Sequence, residues 1–179
     1  MYKFTAASDR ELIVFGARRP GYSDRAVSEW IDFMKQQKID RICCLLPQSQ
    51  LNRYSDLLGN YRKIFGVDRI CWAPLLDFEL ADSEILIDRI LPFLIEANNA
   101  GDRVVVHCSG GIGRTGQVLA AGLVSGRGFS NQNAIAAVKK TGRNPYEAAI
   151  AAVFKGRNPW KVVREFHVLL DDCRRAFAK

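Results

Sequence analysis

Two side chains capable of chemistry, the thiol of Cys108 and the guanidinium of Arg114, are separated by five residues, three of which are glycines. Glycines allow successive backbone N–H groups to turn toward one point and so to form an anion site. A thiolate is an anion that such a site stabilises, and a guanidinium offers two parallel donors to a phosphate group. The stretch therefore predicts a thiolate nucleophile at the base of a phosphate-binding loop.

The elements on either side of this loop strengthen the prediction. Before it, Val104, Val105 and Val106 are β-branched and apolar, which is typical of a buried strand. After it, residues 117–121 favour a helix, whose N-terminus would add partial positive charge to the loop. Thr115 directly follows the arginine and is placed to donate its hydroxyl to the thiolate.

The run from His107 to Thr115 reads His-Cys-Ser-Gly-Gly-Ile-Gly-Arg-Thr and resembles the signature of the cysteine-based protein tyrosine and dual-specificity phosphatases. The resemblance implies hydrolysis of phosphomonoesters through a cysteinyl-phosphate intermediate, with neither a metal nor a cofactor. It makes Cys108 the nucleophile, has Thr115 ease the departure of the thiolate, and has His107 support the loop from inside the protein. The groups implied to bind the phosphate are the backbone of Ser109, Gly110, Gly111, Ile112 and Gly113 together with Arg114.

The family also uses an aspartate that protonates the leaving oxygen, because thiolate attack expels an alkoxide or phenoxide. In this chain the corresponding loop comprises residues 72–82, and the resemblance assigns the role to Asp77, whose spacing from Cys108 fits the family. Asp82 is an alternative, although its position before a predicted helix is more typical of a cap, and Glu79 is a weaker one. The proline that usually follows the aspartate in the family is missing here.

The same letters fit a second motif. Residues 111–116 read G-x-G-x-x-G between a strand and a helix, as dinucleotide-binding loops do. Such loops are followed about 20 residues later by an acidic residue that binds the ribose. This chain has no Asp or Glu between Arg103 and Tyr146, so the dinucleotide site is less favoured. A phosphate-binding module without catalysis is a further alternative.

The resemblance leaves the substrate class open. Because the loop interior carries no lysine, it favours a protein phosphatase for phosphotyrosine, with phosphoserine and phosphothreonine as additional substrates, over an enzyme for phosphoinositides or inositol phosphates. An RNA 5′-phosphatase is another alternative, although such relatives carry a different loop interior. The expected partner is a phosphorylated protein or peptide; neither nucleic acid nor a membrane is expected, and the oligomeric state is left open.

Composition adds broad limits. The chain has 179 residues, of which 48% are hydrophobic and 25% charged, which is typical of a globular domain. We expect a single phosphatase domain over residues 1–179, with N-terminal strands and a loop in residues 1–23 and the catalytic core in residues 24–179. The net charge of +7 suits anionic substrates. Five cysteines without a disulfide or zinc pattern predict a reducing cytoplasm.

Alternating strands and helices in the first half, and helices alone in the second, predict an α/β fold. The fold implied by the family agrees: a phosphatase-like three-layer core, with a mostly parallel central sheet of about five strands flanked by helices, and a helical C-terminal half. Predicted strands cover residues 3–7, 11–15, 40–46, 68–72 and 104–106. One predicted helix is capped by Ser23 or Asp24 and carries apolar residues between Val27 and Met34 on one face. Another starts at Asp82 or Ser83 and ends around residues 98–101. The remaining predicted helices cover residues 50–65, 115–125, 130–141, 145–154 and 159–176.

A four-residue repeat separates the last three predicted helices: the run 142–145, Gly-Arg-Asn-Pro, recurs at 156–159. In each copy the glycine can end one helix, while the asparagine caps the next and the proline occupies its first turn. The alternative is that Arg143 or Arg157 lies at the rim of the phosphate site.

Overall fold

The computed structural model describes residues 2–178 and contains one five-stranded sheet. Its strands are β1 (Thr5–Ala6), β2 (Val14–Arg18), β3 (Arg41–Cys44), β4 (Ile70–Trp72) and β5 (Val104–Cys108). The helices are α1 (Asp24–Gln36), α2 (Gln48–Leu51), α3 (Leu57–Phe65), α4 (Leu91–Ala100), α5 (Gly113–Arg127), α6 (Asn131–Lys140), α7 (Glu147–Phe154) and α8 (Pro159–Ala176). A 3-10 turn (Val67–Arg69) precedes β4, and a π-helical segment (Ile85–Ile90) leads into α4.

The sheet has the order β1-β2-β5-β3-β4, with β1 antiparallel to β2 and the other neighbours parallel. Strand β5 is central, and its last residue, Cys108, lies opposite Arg18 of β2, while His107 lies opposite Cys44 of β3. The ends of three parallel strands therefore meet where the glycine-rich loop begins. The predicted α/β fold, with a mostly parallel sheet and a helical C-terminal half, is confirmed.

Helices cover both faces of the sheet, which gives three layers. Because side chains alternate along a strand, Val104, Val106 and Cys108 of β5 point to one face and Val105 to the other. The first face packs against α4, α5, α6 and α8, and the second against α1 and α3. Both faces of β5 are buried, which is why its sequence is continuously apolar before His107.

The first two strands differ from the prediction in their bounds. Residues 11–15 alternate as a strand would, but Glu11 instead turns its buried carboxylate onto the backbone N–H groups of Ile13 and Val14, at 2.9 and 3.1 Å. The same carboxylate is paired with Arg127. Strand β2 therefore starts at Val14 and extends to Arg18, where pairing with β5 sets its register.

The predicted helix over residues 50–65 was wrong as a continuous element. It is interrupted between Leu51 and Leu57, and α3 begins after Asp56, whose Oδ1 accepts the N–H of Gly59 at 2.9 Å. Tyr54 in the interruption is still buried. The apolar spacing therefore predicted the burial of Leu57 and Tyr61 correctly but not that of Ile64, which is exposed. The N-cap at Asp56 decided where the helix begins.

The repeated Gly-Arg-Asn-Pro segment does act as a helix boundary in both copies. Gly142 and Gly156 adopt positive φ angles after α6 and α7, and Asn158 accepts the N–H groups of Trp160 and Lys161 at the start of α8. The two arginines differ: Arg143 is buried, whereas Arg157 is exposed. The buried guanidinium of Arg143 bonds to the carbonyl of Lys3 and to the side chains of Thr5 and Thr141, so it ties β1 to the end of α6.

Of the helices within residues 2–178, none combines the length and the hydrophobicity that a membrane-crossing segment requires.

Candidate active site

Cys108 lies at the C-terminal end of β5 and is almost fully buried. Its Sγ accepts a hydrogen bond from Oγ1 of Thr115 over 3.1 Å, and its carbonyl accepts the N–H of Arg19 over 3.0 Å. The predicted nucleophile and the predicted hydroxyl donor are thus in direct contact. The strand end next to it is held by the segment that follows β2.

The glycine-rich loop, residues 109–112, leads from β5 directly into the first turn of α5. At the N-terminus of helix α5 the N–H of Gly113 faces the carboxylate of Glu147, so the donors left for an anion are those of the loop before it. Within residues 2–178, the N–H groups of residues 109–112 donate to no other protein group. The backbone of this loop therefore offers several donors to a phosphate placed above Cys108.

Gly111 fixes the shape of the loop. Its φ is +71°, and a Cβ atom there would lie 2.6 Å from the carbonyl oxygen of Ala17 and 2.8 Å from the nitrogen of Arg18. Both atoms belong to the backbone of β2, which cannot move aside without breaking its pairing with β5. The loop can approach the sheet this closely only because residue 111 has no side chain.

We expect Gly111→Ala to weaken phosphate binding strongly, because both the positive φ and the contact with β2 oppose a methyl group. The inhibition constant of inorganic phosphate or vanadate should rise by at least about 10-fold, with a loss of stability of about 1–3 kcal/mol. Gly110→Ala is the matched control, since a Cβ there would meet only the side chain of Ile112 at 3.9 Å. Equal inhibition constants in the two variants would contradict this account.

Arg114 in the first turn of α5 is only 2% exposed. Its Nη1 donates to the carbonyl of Leu75 at 3.1 Å, and its Nη2 lies 3.0 Å from Oδ2 of Asp77, whose side chain is 33% exposed. The Asp77 contact is close enough for an ion pair but out of line for a hydrogen bond, so Nε and Nη2 have no hydrogen-bond partner. Two unsatisfied donors on a buried guanidinium are a fork suited to two phosphate oxygens.

The acidic residues of the 72–82 loop have separate positions. Asp77 alone among them contacts Arg114. Asp82 accepts the N–H of Ile85 at 3.0 Å, as a helix cap would. Glu79 points away to Lys155 and Arg157, at 2.6 and 2.7 Å, and these partners lower its pKa.

His107 is fully buried on the face of the sheet opposite to Cys108. Its ring contacts those of Trp30 and Tyr61 edge to face, and its Nε2 lies 3.3 Å from the hydroxyl of Tyr61. Burial, helped by the positive charge of Arg114, lowers the pKa of His107 to about 3. The imidazole is therefore neutral at physiological pH and packs beneath the loop.

This neutral histidine should make the protein sensitive to acid. Its pKa is below the value of 6.5 for an unperturbed histidine, so between pH 6.5 and 3 the unfolded chain binds more protons, and stability falls as the pH is lowered through this range. We expect the free energy of unfolding, measured with urea, to fall between pH 7 and pH 4.5 in both proteins. The fall should be about 2–3 kcal/mol smaller in His107→Gln than in the parent protein. The carboxylates titrate in the same way in both proteins, so their contribution cancels when the two changes in unfolding free energy are subtracted. Equal losses would show that His107 titrates like an exposed histidine.

Two residues near the site were missed in the sequence. Glu147 starts α7, and its carboxylate lies directly against Gly113 at the start of α5, where it leaves no room for a Cβ atom. Burial, followed by the negative charge of Asp77, raises the pKa of Glu147. Gln117 follows Arg114 by one helical turn and is buried against the 72–82 loop. Only its i,i+3 spacing from Arg114 could have indicated it; no local signal indicates Glu147.

The positions of Cys108, the glycine-rich loop and Arg114 in the fold are those of one class of enzyme. A cysteine at the end of the central parallel strand, followed by a glycine loop and an arginine in the next helix, is the arrangement of the tyrosine and dual-specificity phosphatases. Residues 15–127 match the family model described as "Tc-R-P: Polymorphic toxin system, DSP-PTPase phosphatase", which spans well over half of the chain. The chain belongs to this family of phosphatases.

Solved structures of phosphatases share the fold. Tk-PTP in its active form is 26% identical, with a TM-score of 0.65, over 88% of this chain and 92% of that one. Kinase associated phosphatase, with its catalytic-site cysteine replaced by serine, is 16% identical with a TM-score of 0.70, over 100% and 97%. PTPMT1 in complex with PI(5)P is 16% identical with a TM-score of 0.66, over 94% and 96%.

Proposed function

We propose that this protein hydrolyses phosphomonoesters of proteins, with phosphotyrosine as the main substrate and phosphoserine and phosphothreonine as additional ones. The observation that carries the proposal is the arrangement around Arg114. Its two unpartnered guanidinium nitrogens lie in the first turn of the helix that follows Cys108, with the carboxylate of Asp77 at 3.0 Å. This arrangement supports a site in which Cys108 is the nucleophile, Arg114 holds the phosphate and Asp77 supplies the proton.

The reaction proceeds in two steps. The Cys108 thiolate attacks phosphorus, an S–P bond forms, the P–O bond to the leaving group breaks, and Asp77 gives its proton to the leaving oxygen. Water then attacks the cysteinyl-phosphate, Asp77 accepts a proton from it, and the S–P bond breaks. Arg114 and the loop N–H groups hold the three remaining phosphate oxygens in both steps. Thr115 donates to Sγ over 3.1 Å and stabilises the departing thiolate.

The surroundings of Asp77 support a protein substrate with an aromatic side chain. Leu76 and Phe78 on either side of Asp77 expose large apolar surfaces. Across the end of the sheet, Arg19 lies over the ring of Tyr22 at 3.7 Å. The exposed apolar side chains that flank Asp77, and the aromatic ring that Arg19 covers, would suit the ring of a phosphotyrosine substrate.

The test is phosphate release from three matched peptides that carry phosphotyrosine, phosphoserine or phosphothreonine, in reductant and EDTA. We expect the highest kcat/KM with phosphotyrosine. A variant with Leu76→Ser and Phe78→Ser should lose more activity on the phosphotyrosine peptide than on a small alkyl phosphate. Equal activity on all three peptides, or no activity on any of them, would overturn the proposed substrate preference.

A second candidate function, dephosphorylation of phosphoinositides, is favoured by one specific feature. Beyond the site, α7 and the start of α8 expose Ile150, Val153, Phe154 and Trp160, of which Phe154 is 87% and Trp160 76% exposed. The basic residues Lys155 and Arg157 lie beside them in the chain, and both pair with the single carboxylate of Glu79, which leaves a net positive charge. Exposed aromatic side chains with neighbouring positive charges are typical of surfaces that bind anionic lipid bilayers.

Vesicles separate this candidate from the first. If the lipid is the substrate, phosphoinositide in phosphatidylcholine vesicles is hydrolysed faster than the soluble short-chain phosphoinositide, and Phe154→Ser with Trp160→Ser removes the difference. Leu12→Ser is the control, because Leu12 is also a highly exposed apolar residue but lies before β2, away from the strand ends that form the site. No preference for vesicles leaves the protein substrate as the proposed function.

A further inference from the structure

The part of the 72–82 loop that follows Asp77 is held to α5 by a buried amide, that of Gln117. Gln117 is 1% exposed, and both ends of its side chain bond to the loop backbone. Its Oε1 accepts the N–H of Ala81 at 2.7 Å, and its Nε2 donates to the carbonyl of Glu79 at 3.1 Å. Since one partner is an N–H and the other a carbonyl, only a side-chain amide in this orientation satisfies both.

Asp77 is thereby bracketed by two residues of the same helix. On one side, Arg114 binds the carbonyl of Leu75 and lies against the Asp77 carboxylate. On the other side, one turn further along α5, Gln117 binds the backbone at Glu79 and Ala81. The helix that begins in the phosphate loop therefore also fixes the position of the loop with the proposed acid.

The backbone between the two attachments is strained. Phe78, directly after Asp77, has a φ of +60°, which a bulky residue rarely adopts. Such a conformation persists only where the surroundings impose it. The ion pairs from Glu79 to Lys155 and Arg157 also hold the loop, but their side chains are exposed, so water and salt screen them. The buried bonds of Gln117 are the stronger constraint.

We propose that Gln117 is a positioning residue for the acid step: it holds the 72–82 loop so that the Asp77 carboxylate faces the leaving oxygen. It takes the place of the proline that the sequence lacks after Asp77. The inference rests on the proposed role of Asp77. Gln117 itself touches neither phosphate nor the reacting atoms. Its loss should therefore impair only the part of the reaction that needs a proton donor.

The experiment compares two substrates that differ in their need for an acid. Phenyl phosphate expels a phenoxide whose conjugate acid has a pKa of about 10, as for tyrosine, and requires protonation. The leaving group of 4-nitrophenyl phosphate is much less basic and needs little protonation by an acid. In Gln117→Leu we expect kcat for phenyl phosphate to fall by at least about 10-fold and kcat for 4-nitrophenyl phosphate by less than about 3-fold. The inhibition constant of inorganic phosphate should stay unchanged, because the phosphate loop is intact.

Three further variants make the result specific. Gln117→Glu keeps the acceptor for Ala81 and loses the donor to Glu79, so its defect should be intermediate; it also serves if the leucine variant does not fold. In Asp77→Asn, the Gln117→Leu change should add no further sensitivity to the leaving group, because the acid is already absent. Ser125→Ala removes a bond to Ala121 on the same helix, remote from the loop, and should behave like the parent protein.

Failure of this inference and failure of the proposed function give different results. If Asp77→Asn lowers kcat equally for both substrates, Asp77 is not the acid, and the inference about Gln117 loses its basis. Asp77→Asn can instead lower kcat for phenyl phosphate more than for 4-nitrophenyl phosphate. If Gln117→Leu then lowers kcat equally for both substrates, or weakens inhibition by phosphate, Gln117 supports only the fold. That result would overturn its positioning role.

Discussion

Replacing Cys108 with serine should reduce phosphate release by at least about 10⁴-fold while leaving phosphate binding intact. A serine hydroxyl needs a base to become a nucleophile. The nearest imidazole, that of His107, is buried on the other face of the sheet against Trp30 and Tyr61. This imidazole therefore cannot take the hydroxyl proton, whereas the loop N–H groups and the Arg114 guanidinium are unchanged and should still bind an anion.

The measurement is the initial rate on a phosphotyrosine peptide in reductant and EDTA, with phosphate affinity determined by calorimetry on the same preparations. Cys44→Ala is the matched control, because Cys44 is a fully buried thiol on the neighbouring strand whose pKa burial raises to about 12. It should keep its activity below its unfolding temperature. A rate above about one hundredth of the parent value in Cys108→Ser would mean that another group attacks phosphorus.

The parts of the site that could be predicted from sequence are those that are contiguous in the chain. Cys108, Arg114 and Thr115 lie within one strand–loop–helix unit, so backbone geometry alone brings them together. The chemistry of each side chain then indicates its purpose. The sheet could be predicted for a similar reason, since Val104–Val106 must be buried on both faces and therefore must lie at the centre.

Residues that reach the site through tertiary contacts left no such signal. Glu147 lies against the phosphate loop because α7 packs behind α5, and nothing in its neighbours marks that contact. Gln117 looked like any polar residue in a helix. Its importance lies in two backbone groups of a loop about 36 positions earlier in the chain, at Glu79 and Ala81. Contacts between residues far apart in the sequence depend on how the layers pack, and the spacing of apolar residues along the chain carries no information about that packing.

The errors at element boundaries have the same origin. For residues 11–15 the alternating pattern competed with a buried carboxylate, and the bonds of Glu11 to backbone N–H groups and to Arg127 decided where β2 starts. For residues 50–65 the helical spacing was real, yet Asp56 offered a cap and divided the helix. In both cases one polar side chain with a specific partner outweighed a run of apolar residues.

Replacing Arg114 with lysine is the second change with a large expected effect, although it keeps the charge. The guanidinium binds Leu75 through Nη1 and leaves Nε and Nη2 for phosphate, while Nη2 also lies beside Asp77. An ammonium is a single point donor and cannot serve the carbonyl and two phosphate oxygens at once. We expect kcat/KM to fall by about 10²–10³-fold, which is the usual effect of losing a donor to transition-state charge.

The split between the two kinetic constants shows how Arg114 acts. If it binds the phosphate equally in substrate and transition state, Arg114→Lys raises KM alone; if it also stabilises the transferring phosphoryl group and positions the loop of Asp77, kcat falls as well. Because Arg114 contacts the loop of Asp77 and is proposed to hold the phosphate, we expect kcat to fall, with a larger loss for phenyl phosphate than for 4-nitrophenyl phosphate. Arg157→Lys is the control, because Arg157 is exposed and, within residues 2–178, its guanidinium pairs with Glu79 and with no group of the Cys108 loop. A rise in KM without any change in kcat would restrict Arg114 to substrate binding.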